Sequence, residues 1–414
     1  MYTSLIVLVF LLLINHYIYI KYKYSKMLYI ISIIFIIINF IFIHLIYYNN
    51  LLLGYENGIV FGDKLRLLAT DEYKYYMESE HLFHHLKYSG GMDAYLRGDF
   101  ATYPFKVDNK PYGIYNEFVF ILGVLKYFGV TKLVDLIGIK LIFTVINTYL
   151  IYSIARKFLN EKRSYIAVII VNLAPAYMLI NVTLLRDNII LTFILGVVLL
   201  ILKRDWNKVN ISWGVFLVIG LITFRVYTLA AIIFSIIFTI RKNDKVINKL
   251  DILFIILYIL GFIILDKFKI NISQIEYLQF NLHEYFGTGI SGFIIFLYNT
   301  VKSIVVRGLF LNALPTMSVY VMMTFLGALY YIVLIPIFIY KVIILLLINR
   351  EMDKMWLCKF TIYFTFINGI VLMLKDVMIP TRLSIMWYTF YIIIILLPTK
   401  IKKDDRFIIN KRKS

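Results

Sequence analysis

Of the 414 residues, one is cysteine, seven are proline and four are tryptophan. A lone cysteine, Cys358, excludes a disulfide within the chain and any cysteine-cluster metal site, and beside Leu357 it reads as inert packing. Acids are also scarce, 24 against 43 lysines and arginines, for a net charge of +19. That excess does not read as a nucleic-acid surface. The basic residues sit in short runs between apolar segments and at the C-terminus, without the interleaved aromatics of a soluble binding module. In such places they set membrane topology and attract anionic headgroups, so membrane lipids are expected partners and nucleic acid is not. The first apolar run, from Leu5, lacks a preceding basic region and a following small-residue cleavage site, and is expected to be a retained helix rather than a cleaved signal.

Apolar residues fill the rest. With 61% hydrophobic content and a mean hydropathy of +0.83, the chain is far more apolar than a soluble domain. Its apolar segments recur near the roughly 20 residues that cross a bilayer. The expected fold is all-α, a polytopic bundle of about eleven transmembrane helices. The organisation reads as two N-terminal spans over residues 1–48, an extracytoplasmic loop with short surface helices over 49–132, a helical bundle over 133–398, and a basic tail over 399–414. Lysines and arginines at 21–26, 156–163, 203–204, 241–242, 350 and 400–413 mark the cytoplasmic turns, which places the N-terminus outside and the C-terminus in the cytoplasm. Residues 165–180 read as one span, 211–224 and 226–240 as two spans meeting at Arg225, and 114–129 and 290–314 as surface or re-entrant segments.

The early loop is the one long interval where acids outnumber bases, nine to six between Glu56 and Asp108. Residues Asp71 to Tyr88 predict an amphipathic helix, stopped by Gly90-Gly91. At its head stand Asp71 and Glu72. One reading makes them an acid–base pair, one acting and the other orienting or binding metal; the other makes them the acidic first turn that a helix dipole favours. His81, His84 and His85, near Glu78 and Glu80, leave a divalent ion open, but not in a zinc-protease pattern, and a solvated helix face explains them as well. No metal ligand is assigned and no cofactor is certain, with a divalent metal left open. Arg186 beside Asp187, Arg225, Arg307 and Arg382 fall at outer boundaries, where the charge rule disfavours arginine. Snorkelling explains any single one; four together suit a shared phosphate or pyrophosphate ligand.

The order of certain features resembles the GT-C membrane glycosyltransferases, typified by protein mannosyltransferases and the lipid A aminoarabinose transferase. Those features are Asp71-Glu72-Tyr73 in the first large outer loop, Pro111-Tyr-Gly-Ile-Tyr115, Tyr152-Ser-Ile-Ala-Arg-Lys157, Leu173-Ala-Pro175 and Leu185-Arg-Asp187. The resemblance covers residues 50–205, with Ile379-Pro-Thr-Arg382 similar to a late outer arginine. It implies an inverting transfer of a sugar from a polyprenyl-phosphate donor to a glycan, lipid or protein acceptor on the extracytoplasmic face. Asp71 or Glu72 would then be the base, and Arg186 and Arg382 would neutralise the departing lipid phosphate. Two features depart from the pattern: two spans are expected before the loop, and no soluble C-terminal domain is expected after the bundle. A polysaccharide repeat-unit polymerase of the O-antigen type is the alternative, and a lipid-linked sugar transporter a third. The transporter would want charges at mid-bilayer depth, for which Asp135 and Lys140 are the candidates. The Ile-, Lys- and Tyr-rich composition suits an AT-rich bacterial genome, so the membrane is expected to be the plasma membrane.

Overall fold

A computed structural model describes residues 2–59, 71–88, 117–205, 207–239, 249–267, 273–305, 319–347, 352–376 and 381–398. Within these the chain is helical, without strands. The helices are α1 (Tyr2–Tyr22), α2 (Lys26–Leu52), α3 (Asp71–Tyr88), α4 (Glu117–Tyr127), α5 (Leu133–Ala155), α6 (Glu161–Leu173), α7 (Pro175–Val182), α8 (Asp187–Lys203) and α9 (Lys208–Thr239). They continue with α10 (Lys249–Lys267), α11 (Ser273–Phe286), α12 (Gly289–Val305), α13 (Val319–Leu347), α14 (Met352–Asp376) and α15 (Ile385–Ile395). Arg307, the Pro111–Tyr115 motif and the basic tail lie outside the described residues.

Among the described residues, six helices are long and apolar enough to cross a membrane: α1, α2, α5, α9, α13 and α14. This suggests a membrane protein. Counting α6 and α7 as one broken span makes seven, against about eleven expected from apolar runs alone. Part of the difference lies in how runs are interrupted, and the count of about eleven is not settled by the described residues. The run at 165–180 is not one straight span; α6 and α7 meet at a 62° bend at Pro175. Proline has no N–H to continue α6 and pushes Ala174 into extended backbone (ψ 123°), yet it suits the first turn of α7. In α9 the backbone leaves helical geometry at Arg225 (φ −166°, ψ 78°), the residue where the sequence reads a junction of two spans. With 17 residues α8 is marginal, and α15 with 11 is shorter still.

The chain forms two compact units. The first comprises residues 1–154, 168–226 and 309–327. In it α1 packs on α2, α2 on α7, and α3 on α4. Small residues permit close helix approach, as is common between membrane helices. A Cβ at Gly220 of α9 would lie 2.6 Å from the Phe193 ring of α8, and one at Gly196 of α8 would lie 2.8 Å from Leu217 of α9, so each helix offers the other a gap for one large side chain. On α1 and α5, Ser4 donates to Asp135 at 2.6 Å and Tyr149 donates to Asn15 at 2.8 Å.

The second unit comprises residues 155–167, 227–308 and 328–414. Here α14 packs against α15, α11 and α12. Phe360 and Phe364 meet Phe390 edge-on, and Phe338 stacks on Tyr391 with ring centres 3.8 Å apart. Asp251 of α10 accepts from Lys359 at 3.0 Å and from the Tyr363 hydroxyl, two residues one turn apart on α14. Cys358 is fully buried in this packing.

Candidate functional site

Between α7 and α8 the chain turns over Thr183, Leu184, Leu185 and Arg186, and the first three are at most 2% exposed. A buried turn strands backbone donors and acceptors, each costly if unpaired. Two charged side chains from distant helices satisfy this one. Lys140 of α5, itself buried, donates to the carbonyls of Ile180 at 2.5 Å, Leu185 at 2.9 Å and Thr183. An ammonium has three protons to give, and here all three go to the carbonyl-rich end of α7, where a helix favours a cation. Glu72 of α3, 6% exposed, accepts the Leu184 N–H at 2.5 Å. The Lys140 charge is balanced by two nearby carboxylates, those of Glu72 and Asp187.

The same face of α5 reaches further along the turn. Thr144 donates to Asn181 Oδ1 at 2.9 Å, and Asn147 donates to the Asn188 carbonyl at 3.0 Å. Residues 140, 144 and 147 are spaced to share one face of a helix, which explains how a single span serves both α7 and α8. Asp187, at the start of α8, forms an ion pair with Arg225 at 2.9 Å, with both side chains at most 8% exposed. The break in α9 falls at this arginine, so the non-helical backbone and the buried pair are features of one position.

Arg186 stands apart from these pairs. Its guanidinium carbon lies 5.8 Å from the centre of the Tyr75 ring, in the range of a cation–π contact. Its buried Nε has no hydrogen-bond partner. Nearby is Glu117, at the head of α4, whose buried Oε2 likewise has none. Burial raises the Glu117 carboxyl above its ordinary value, while its own backbone N–H and the Arg186 charge pull it back. An arginine Nε and a carboxylate oxygen, both buried and unpartnered and each within the other's field, suit a ligand that carries an acceptor and a hydroxyl.

The carrier of Tyr75 and Glu72 is the α3–α4 pair. Leu82 is fully buried between the helices, with Leu86 and Phe120 packed on it, and Tyr75 meets Phe118 edge-on. Lys126 of α4 pairs with Glu80 at 2.5 Å, donates to the Tyr76 carbonyl at 3.1 Å and lies 3.9 Å from the Tyr76 ring centre. Burial lowers the Lys126 ammonium to about 8 despite Glu80, and raises the Tyr76 hydroxyl to about 12. Glu80 also has His84 at 3.8 Å. Among the described residues no three His, Cys, Asp or Glu side chains gather to hold an ion.

Of the residues singled out in the sequence, Glu72, Arg186, Asp187 and Arg225 thus converge on the turn at 183–187. Asp71, half-buried, is the first residue of α3. Arg382 lies in the second unit, on a short 3-10 turn leading into α15, and Arg307 is not described. Glu117 lies in the segment 114–129 that the sequence reads as surface or re-entrant, and was not singled out there. Sequence reasoning noticed Lys140 as a charge within a span without seeing that three carbonyls would absorb it. Compared with protein-family models, with curated proteins and with solved structures, the chain matches none.

Proposed function

We propose that the chain is a glycosyltransferase of the GT-C kind, seated in the plasma membrane with its site on the extracytoplasmic face, which moves a sugar from a polyprenyl phosphate to a glycan, lipid or protein acceptor. The observation that supports this best is Arg186: an arginine beside a buried turn, with a buried, unpartnered Nε and a carboxylate close by. A planar guanidinium suits the oxygens of a phosphodiester, and charge developing on the leaving phosphate is where a fixed cation assists most. The acceptor hydroxyl attacks the anomeric carbon and gives its proton to a carboxylate. The carbon–oxygen bond to phosphate breaks with its electron pair on the phosphate, which Arg186 holds.

Asp71 is the proposed base. Glu72 has an oxygen engaged by Leu184, and its role is to position the turn that carries Arg186. Asp187 and Arg225 neutralise one another and hold the start of α8 and the break in α9 around that turn.

The test is to measure polyprenyl-phosphate sugar and its glycan product in membranes carrying Asp71→Asn, Glu117→Gln, Arg186→Gln or Arg186→Lys, with protein abundance followed alongside. Transfer should fall at least about a hundredfold in Arg186→Gln and be partly restored in Arg186→Lys, as for loss of one transition-state donor. Unchanged transfer in Arg186→Gln would dispose of the proposal. Loss in Glu117→Gln with full activity in Asp71→Asn would move the base from Asp71 to Glu117.

A further inference from the structure

The face of α5 beyond Lys140 carries a second polar patch, which the transfer reaction does not use. Thr144 donates to Asn181 Oδ1 of α7 at 2.9 Å and accepts from Asn188 Nδ2 of α8 at 3.5 Å, and Asn147 Nδ2, a turn further on, donates to the Asn188 carbonyl at 3.0 Å. Tyr177, one turn before Asn181 on α7, brings its hydroxyl against the Asn147 and Asn181 side chains. Three helices of the first unit thus bring four fully buried polar side chains to one place: Asn147, Tyr177, Asn181 and Asn188. Each keeps one buried atom without a hydrogen-bond partner among the described residues, namely Asn147 Oδ1, Asn188 Oδ1, Asn181 Nδ2 and the Tyr177 hydroxyl.

One such atom in an apolar bundle is costly, and four together call for a shared ligand. Their chemistry selects it. An anion would face two amide oxygens. A cation would face the Asn181 N–H and the Lys140 ammonium, which is bonded to the carbonyl of Ile180, the residue before Asn181. Water both donates and accepts: it can give protons to the two amide oxygens and take those of the Asn181 amide and the Tyr177 hydroxyl, close to the roughly three bonds that an internal water makes. Polar side chains within apolar spans face one another or water, and full burial suits a resident no larger than water. We propose that Asn147, Tyr177, Asn181 and Asn188 form an internal water-binding site that joins α7 to α5 and α8. The site is distinct from the donor site at Arg186. A helix of eight residues is not stable by itself, so this hydration is part of what seats α7.

The test uses the full chain, labelled with ¹³C and ¹⁵N in lipid bilayers, and solid-state NMR that reads magnetisation transfer from water protons to asparagine side-chain amides. Asn172 is the reference, because its Nδ2 donates to the Val168 carbonyl at 2.9 Å and its Oδ1 accepts from Thr148 at 3.5 Å. Transfer to the amides of Asn147, Asn181 and Asn188 should build up several times faster than to Asn172. Equally slow build-up at all four would overturn the proposal. Tyr177→Phe, which deletes only the hydroxyl, should raise amide exchange across α7 by about fivefold, as for the net loss of one hydrogen bond. Unchanged or slower exchange would mean that the hydroxyl has no ligand, and would also overturn it. Should Tyr177→Phe fail to fold, the wild-type NMR measurement decides. Thermal midpoints should be equal in sodium chloride and choline chloride; a rise in sodium that Tyr177→Phe abolishes would give the site to a cation and refute water as its ligand.

Discussion

Replacing Lys140 by methionine keeps the length and much of the bulk of the side chain but removes its three protons. The carbonyls of Ile180, Thr183 and Leu185 then lose their common donor in a place from which water is largely excluded. A bond from a charged donor contributes about 1.5–3 kcal/mol, but three bonds to one ammonium do not add fully. Breaking a buried ionic arrangement from one side costs about 3–5 kcal/mol, and that is the better figure for the cluster, since Glu72 also loses a nearby countercharge while Asp187 keeps Arg225. The cost should fall on local opening of the turn. At about 1.4 kcal/mol per tenfold, amide exchange at Leu184, Leu185 and Arg186 should rise between roughly a hundredfold and a few thousandfold. Hydrogen-exchange mass spectrometry on peptides spanning 180–190 reads this directly, with peptides from α14 and α15 as the internal reference. Lys140→Arg, which keeps the charge, should fall between wild type and Lys140→Met. Exchange at the turn within about threefold of wild type in Lys140→Met would refute the idea that this side chain holds it.

Three further outcomes follow from the same contacts. Lys126 holds its proton only to about pH 8 when folded, against an ordinary value of 10.5, so between these values the unfolded chain binds more protons. The α3–α4 pair should therefore gain stability as pH rises through that window, by at most about 3 kcal/mol, and a ¹³C-lysine titration midpoint near the ordinary value would contradict this. Glu117 has the opposite sign: its raised carboxyl contributes stability at low pH that is lost as pH climbs through its folded value, so Glu117→Gln should stabilise α3–α4 at neutral pH and flatten the acid slope in thermal unfolding. Gly220→Ala would press a Cβ against the Phe193 ring and should cost about 1–3 kcal/mol in thermal stability, while the same change at Gly261, where nothing lies within 4 Å, should be nearly silent.

Hydrophobicity and charge placement made the helices legible. The amphipathic pattern and acidic start of α3, and the apolar stretches of α5 and α13, emerged with the boundaries read from sequence. The bend at Pro175 was visible as a proline but was read through, because a run of apolar residues on both sides outweighed one breaker. At the site, arginines out of place pointed to Arg186 and Arg225. Their different states could not be foreseen: Arg225 finds Asp187 across 38 positions of chain, while Arg186, next to that aspartate, turns to Tyr75. Adjacent residues on a helix do not face the same way, and which one meets a distant partner is decided by packing that no local pattern encodes. Glu72 illustrates this too, since its partner is a backbone N–H, a group every residue but proline possesses.

Lys140 and Glu72 both precede the turn they hold, by 40 or more positions in the chain. During synthesis, a chain emerging from its N-terminus therefore presents both clamps before residues 180–187 exist. The polar turn, which by itself would be a poor passenger in hydrocarbon, enters a membrane where its donors and acceptor are already waiting. Until then the burden is reversed, with Lys140 a solitary cation in an apolar helix. A nascent chain halted shortly after α5 should accordingly depend more on insertion machinery, or on lipid that lets the lysine reach the interface, than one halted after α8.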